Sequence, residues 1–126
     1  MNWLAVGAGA CLGAWGRHAL GIALNPLLRL LPLGTLAANL IGGFLMGLVM
    51  AWLMRMPEVS PELRLFITTG FLGGLTTFSA FSGETMALLL RQEHLWAVAA
   101  IVAHVAGSLA MTLAGYVFAR HFLQGA

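Results

Sequence analysis

The sequence predicts an all-α membrane protein of four spanning helices, with the third helix broken near its middle. Three observations carry that prediction. The chain of 126 residues is 60% hydrophobic and 8% charged, with mean hydropathy +0.93, whereas soluble domains carry roughly 25% charged residues. So apolar a chain has nothing to cover a water-facing surface with, which makes it an integral membrane protein with room for one domain, residues 1–126. Four apolar stretches reach the length a bilayer core requires, about 20 residues per helix. The third of them is interrupted by Gly73-Gly74 and Thr76-Thr77, because glycine is flexible and threonine bonds its own backbone.

The first span covers residues 3–24, about the full bilayer width, and holds Arg17 near its far end. It lacks the basic leader of a signal peptide and reads as a retained helix. The second, residues 33–54, has no charge, and the third, residues 65–90, contains TTGFLGGLTTFSAFSGE at 68–84. The fourth covers residues 95–122. Asn25-Pro26 and Pro32 punctuate the first connection, Pro57 and Pro61 the second, and Arg91-Gln92-Glu93-His94 forms the third. Trp3, Trp52 and Trp96 fall near span ends, where interfacial anchors belong.

The net charge of +2 comes from six arginines against four glutamates, without a basic cluster. That excludes nucleic acid as a natural partner. Cys11 is the single cysteine, so no intrachain disulfide forms, and it reads as a packing residue among small neighbours. Four spans place both termini on one side, together with Arg55, Arg64 and Arg120; Arg17, Arg29 and Arg91 lie opposite. Arginine and lysine bias normally sets orientation. A tie implies weak preference and insertion both ways, unless other cues fix one topology. Gly9-x-x-x-Gly13, Gly43-x-x-x-Gly47 and Gly70-x-x-x-Gly74 fit the small-xxx-small pattern, and Ala106, Ala110 and Ala114 repeat at four. They suit contacts between copies or within one chain.

Polar groups inside spans are expensive and mark function. His104, Ser108 and Thr112 share a face of the fourth span, Thr35 and Asn39 a face of the second, and Phe78, Ser82 and Thr85 a face of the third with Phe81 beside them. Converged, these stripes make a polar track; taken singly, each is also explained by back-bonding or helix adhesion. Hydroxyls, the Asn39 amide and Arg17, against Glu84 as the one carboxylate within a span, suit an anion. An aromatic ring is positive at its edge, so the edges of Phe78 and Phe81 can receive an anion without trapping it, although their spacing equally fits core packing. The interrupted helix frees carbonyls around Gly73 to Thr76 that suit a buried monovalent cation where two subunits meet, or else it is a plain kink.

GTLAANLIGG (34–43), TTGFLGGLTTFSAFSGE (68–84) and HVAGSLAMTLAGY (104–116), with GAWGRHAL (13–20), resemble the Fluc, or CrcB, family of fluoride channels. The resemblance covers all four spans in order, and the GGLTTFSAFS core is its most specific part. It implies a dual-topology, antiparallel homodimer with two fluoride pores in a bacterial inner membrane, and a passive leak that relieves fluoride toxicity without catalysis. Phe78 and Phe81 match the phenylalanines whose edges contact fluoride, Asn39 the pore asparagine, and Arg17 the vestibule arginine. Ser108 and Thr112 match the hydroxyl track, with Glu84 near its end and Ser82 on the same polar face. The carbonyls of Gly73 and Thr76 match those that cage a structural Na+ at the dimer interface. Ala80 departs from relatives that carry threonine there. The rival readings are a proton-coupled small multidrug resistance-type exporter, which needs a carboxylate that the first span lacks, and a non-transporting membrane subunit.

Overall fold

A bilayer core offers no water to pair with backbone N–H and C=O groups, so the apolar runs satisfy them internally as helices. The computed structural model describes residues 2–124, and among them there is no strand. Helix α1 is Asn2–Leu24, α2 is Leu33–Arg55, α3 is residues 61–75, α4 is Phe78–Leu90 and α5 is His94–Gln124. Three segments are long and apolar enough to cross a membrane: Leu33–Arg55, Pro61–Leu90 (α3 and α4 taken together) and His94–Gln124. The protein is therefore a multi-pass membrane protein. Helix α1 has the length of α2 but carries Arg17 and His18 side by side, which dilutes its apolar character.

Local chemistry sets the helix ends. Pro32 precedes α2 and has no side chain to cap it; Asn25 does so from the preceding turn, its Oδ1 accepting from the N–H of Gly34 (2.7 Å) and Thr35 (3.3 Å). Ser60 caps α3, its Oγ accepting from Leu63 N–H, with Pro61 in the first turn where its missing N–H costs nothing. Gln92 takes a left-handed φ of 60° in the turn from α4 to α5.

Small residues let two helix pairs meet at backbone distance. Gly47 of α2 lies against the Thr112 carbonyl and Tyr116 N–H of α5, and Gly115 answers it against Phe44. Gly13 of α1 lies against Phe71, Gly74 and Leu75 of α3. These three Gly-x-x-x-Gly motifs are thus spent on contacts within one chain. Ala106, Ala110 and Ala114 instead face outward from α5. Cys11 is exposed on α1, so the expected packing role is not seen within the chain; it lies on the outward face that α1 does not press against α3. The buried core is small, centred on Ala38, Leu72 and Leu75, with a second cluster of Leu88, Ala97 and Ala100.

The interruption of the third span falls at Thr76-Thr77. Gly73 keeps helical angles (φ −64°, ψ −36°), while Thr76 (−86°, 157°) and Thr77 (−151°, 124°) are extended. Glycine at 74 serves close approach instead, since a Cβ there would meet the backbone of Ala10. Two wide π-helical turns, Phe66–Leu72 and Val102–Ala106, lie near this level; such turns recur at functional sites.

Candidate functional site

Breaking a helix strands backbone groups that must find partners, and Asn39 supplies them. Its Oδ1 accepts from the Thr77 N–H (2.8 Å) while its Nδ2 donates to the Thr77 carbonyl (3.0 Å), so one amide side chain pairs an extended residue as a neighbouring strand would. The Thr77 N–H fixes which end of the amide is oxygen, so Nδ2 also donates its second hydrogen to His104 Nδ1 at 2.9 Å. The neutral imidazole then carries its hydrogen on Nε2. Thr77 Oγ1 caps α4 by accepting from Ala80 N–H (3.1 Å), and Thr76 Oγ1 donates back to the Leu72 carbonyl (2.8 Å).

The aromatic rings are arranged by the same clamp. His104, 4% exposed, stacks on Phe81 with centroids 4.6 Å apart and planes at 27°. Phe81 meets Phe78 edge to face at 5.4 Å and 77°. Phe81 is 7% exposed, but Phe78 is 75% exposed and projects from the chain. These rings, with Asn39, Gly73, Thr76, Ser108 and Thr112, line a cavity of about 500 Å³. Gly42 makes room for the Thr76 side chain at its wall, and Gly43 lies against the Ser108 carbonyl and Thr112 Oγ1.

Seven of the ten predicted site residues thus meet in one place, Asn39, Gly73, Thr76, Phe78, Phe81, Ser108 and Thr112, joined by His104 of the α5 stripe. Thr112 Oγ1 spends its hydrogen on the Ser108 carbonyl (2.9 Å), the back-bonding expected of a helical threonine. Ser82 is exposed on α4, away from the cavity wall. Glu84 stands toward the Leu33 end of α2, where its Oε2 accepts from Thr35 Oγ1 at 2.7 Å; Oε1 and the neighbouring Thr85 hydroxyl are buried without a partner among the described residues. Arg17 reaches across to α3, its Nε donating to the Gly74 carbonyl at 3.1 Å. The carbonyls of Gly73 and Thr76 have no partner outside their own helices among the described residues.

The Thr35–Glu84 pair and the Asn39–His104 contact join residues 49 and 65 positions apart. Their only trace in the sequence is polarity inside apolar spans.

Fold and cavity together define a multi-pass helical membrane protein with a largely apolar, aromatic-walled cavity at a helix break, into which a few polar groups are set. Irregular backbone at that depth occurs where it lines a cavity or is buried in protein. The chain belongs to the CrcB family: residues 4–116 match the family model described as "CrcB-like protein, Camphor Resistance (CrcB)". It is 58% identical over 114 residues to a protein of Aromatoleum aromaticum named "Fluoride-specific ion channel FluC", covering 90% of this chain and 87% of that one. Proteins of the same name from Nitrosospira multiformis (52% over 120 residues, 95% and 94% of the two chains) and Ralstonia pickettii (52% over 122 residues, 97% of each) are similarly close.

Proposed function

We propose that this protein is a passive, fluoride-selective ion channel of a bacterial inner membrane, letting the anion leave the cell down its electrochemical gradient and so relieving its toxicity. The observation that carries this reading is the cavity at the helix break, where Phe78, Phe81 and a hydroxyl-bearing stripe of α5 meet, in a chain whose relatives bear the name of fluoride channels. The anion exchanges water for ring edges, the Ser108 hydroxyl and the Nε2–H of His104. These donors hold it without a full positive charge that would trap it. Asn39 acts mainly by holding the break and the imidazole, since both its N–H groups are already engaged. Arg17 raises the local anion concentration near the mouth, and Glu84 with Ser82 marks the far end of the path.

Helix α1 also crosses the membrane, bringing the spans to four, and two copies pair antiparallel as a dual-topology homodimer. The arginine tie, the exposed Phe78 and the outward alanine stripe of α5 support this assembly. Backbone carbonyls of Gly73 and Thr76 suit a structural Na+ shared by the two copies, because among the described residues no side chain or loop N–H outside the helices reaches them at the edge of the break. Bound there, the ion would neutralise stranded carbonyl dipoles and hold the halves of the third span in register.

Fluoride efflux from proteoliposomes, followed with a fluoride electrode, tests the function. Rapid fluoride release with chloride retained is the expected result, and absent or equal flux of the two anions defeats the reading. A single tag on one terminus should be reachable from both sides of the membrane; access from one side only rules out dual insertion. Replacing Na+ with potassium throughout purification should weaken the dimer if the carbonyls hold sodium.

A further inference from the structure

Far from the break, the ends of α2 and α5 frame a second cleft of about 320 Å³, walled by Arg55, Arg120, Tyr116, Gln124, Met54 and Leu123. It lies about 24 Å along α2 from Asn39, so it is separate from the proposed ion path. Gly47 and Gly115 press the two helices together further into the bilayer, and the cleft opens beyond that crossing, where the spans end.

Its chemistry is divided. Arg55 is anchored: Nη1 donates to the Leu123 carbonyl at the end of α5 (3.2 Å), leaving its remaining N–H groups unengaged among the described residues. Among the described residues, Arg120, on the facing helix, forms no hydrogen bond or ion pair, and no carboxylate lines the cleft. The Tyr116 hydroxyl donates only to the Met54 sulfur at 3.7 Å, a weak acceptor that a phosphate oxygen would displace. Below the arginines the wall is apolar, with Met54 72% exposed. Two guanidiniums offer the forked donors that phosphate geometry prefers. An apolar wall beneath them has no use for a free phosphate but suits one that carries acyl chains.

We propose that this cleft binds the headgroup of an anionic phospholipid, its phosphate between Arg55 and Arg120 and its chains along Met54. The site stands whether or not the protein conducts fluoride.

Native mass spectrometry of the purified protein in neutral detergent provides the test, with phosphatidylglycerol and phosphatidylcholine of identical chains as probes. Phosphatidylglycerol should be retained in preference. Arg55→Gln with Arg120→Gln should weaken its binding by roughly 20- to 40-fold, and Arg120→Gln alone by about fivefold, the factors expected of basic residues at an anionic surface. Arg120→Gln breaks no described hydrogen bond, so its effect does not depend on the Arg55 cap. The control is Arg64, an exposed arginine of α3 that does not line the cleft; Arg64→Gln should leave binding nearly unchanged. The proposal falls if the two lipids bind alike, if Arg64→Gln and Arg120→Gln lose binding equally, as diffuse surface charge would dictate, or if millimolar inorganic phosphate displaces the lipid.

Discussion

Replacing Asn39 with alanine removes both partners of the Thr77 backbone and the donor to His104. A buried backbone group left unpaired costs about 1–3 kcal/mol. The cavity beside Thr77 can admit water, which places the combined loss for its N–H and C=O in the lower half of the summed range of about 2–6 kcal/mol, at about 2–4 kcal/mol. The loss is local, because the helices on either side keep their own bonds. Hydrogen exchange at the Thr77 amide reads it directly: local opening should become roughly 30- to 1,000-fold more frequent. Thermal stability in detergent should fall with it. Fluoride flux should also drop, as a consequence of the loosened break. If Asn39→Ala abolished flux while Thr77 stayed as protected as before, the clamp argument would be refuted and Asn39 would act on the ion itself.

The close helix crossing gives a second expectation: Gly47→Ala puts a Cβ against the Thr112 carbonyl and should cost at least about 2 kcal/mol in thermal unfolding, whereas Gly7→Ala, with nothing within 4 Å, should cost nothing or gain slightly. Thr35→Val removes the one described donor to Glu84 and should destabilise by about 1.5–3 kcal/mol. A double-mutant cycle with Glu84→Met, which removes the acceptor, should show coupling above about 1 kcal/mol, and strict additivity would mean the bond contributes nothing. Phe78→Ile should leave the subunit fold intact, because the ring is exposed, yet slow fluoride efflux. Phe81→Ile should slow efflux and lower stability as well, since the ring is buried against His104. Equal throughput for both variants would return the two rings to a packing role.

Much of this architecture was legible in the sequence because the bilayer leaves so few options. The lengths of the apolar runs and the prolines between them located the helices to within a few residues; of the polar stripes, Asn39, Phe78 and the α5 stripe meet at one cavity, whereas Thr35, Ser82 and Thr85 lie away from it. What could not be read was how each group spends its hydrogen bonds. Asn39 looked like a free donor, but its amide pairs Thr77, a residue 38 positions away. The break was expected across Gly73-Gly74 and Thr76-Thr77; the glycines stay helical where α1 packs on them, and only the threonines are extended, with α2 offering Thr77 a partner. Likewise, small-xxx-small spacing identified surfaces of close approach without saying which surface each would meet.

The clamp on Thr77 has a consequence for how the chain enters the membrane. Residues 61–75 and Phe78–Leu90 are each about 20 Å long, short of a bilayer core of about 30 Å. Neither half can cross as a finished helix, and the two extended threonines between them would meet lipid with their backbone bare. The third segment therefore has a stable transmembrane state only beside α2. Its integration is expected to depend on α2 being already in place; a chain lacking residues 1–55 should fail to retain 61–90 in the membrane, and stable integration without α2 would refute this. A ribosome pause or a linker inserted between Arg55 and Ser60 would tax biogenesis more than the mature fold.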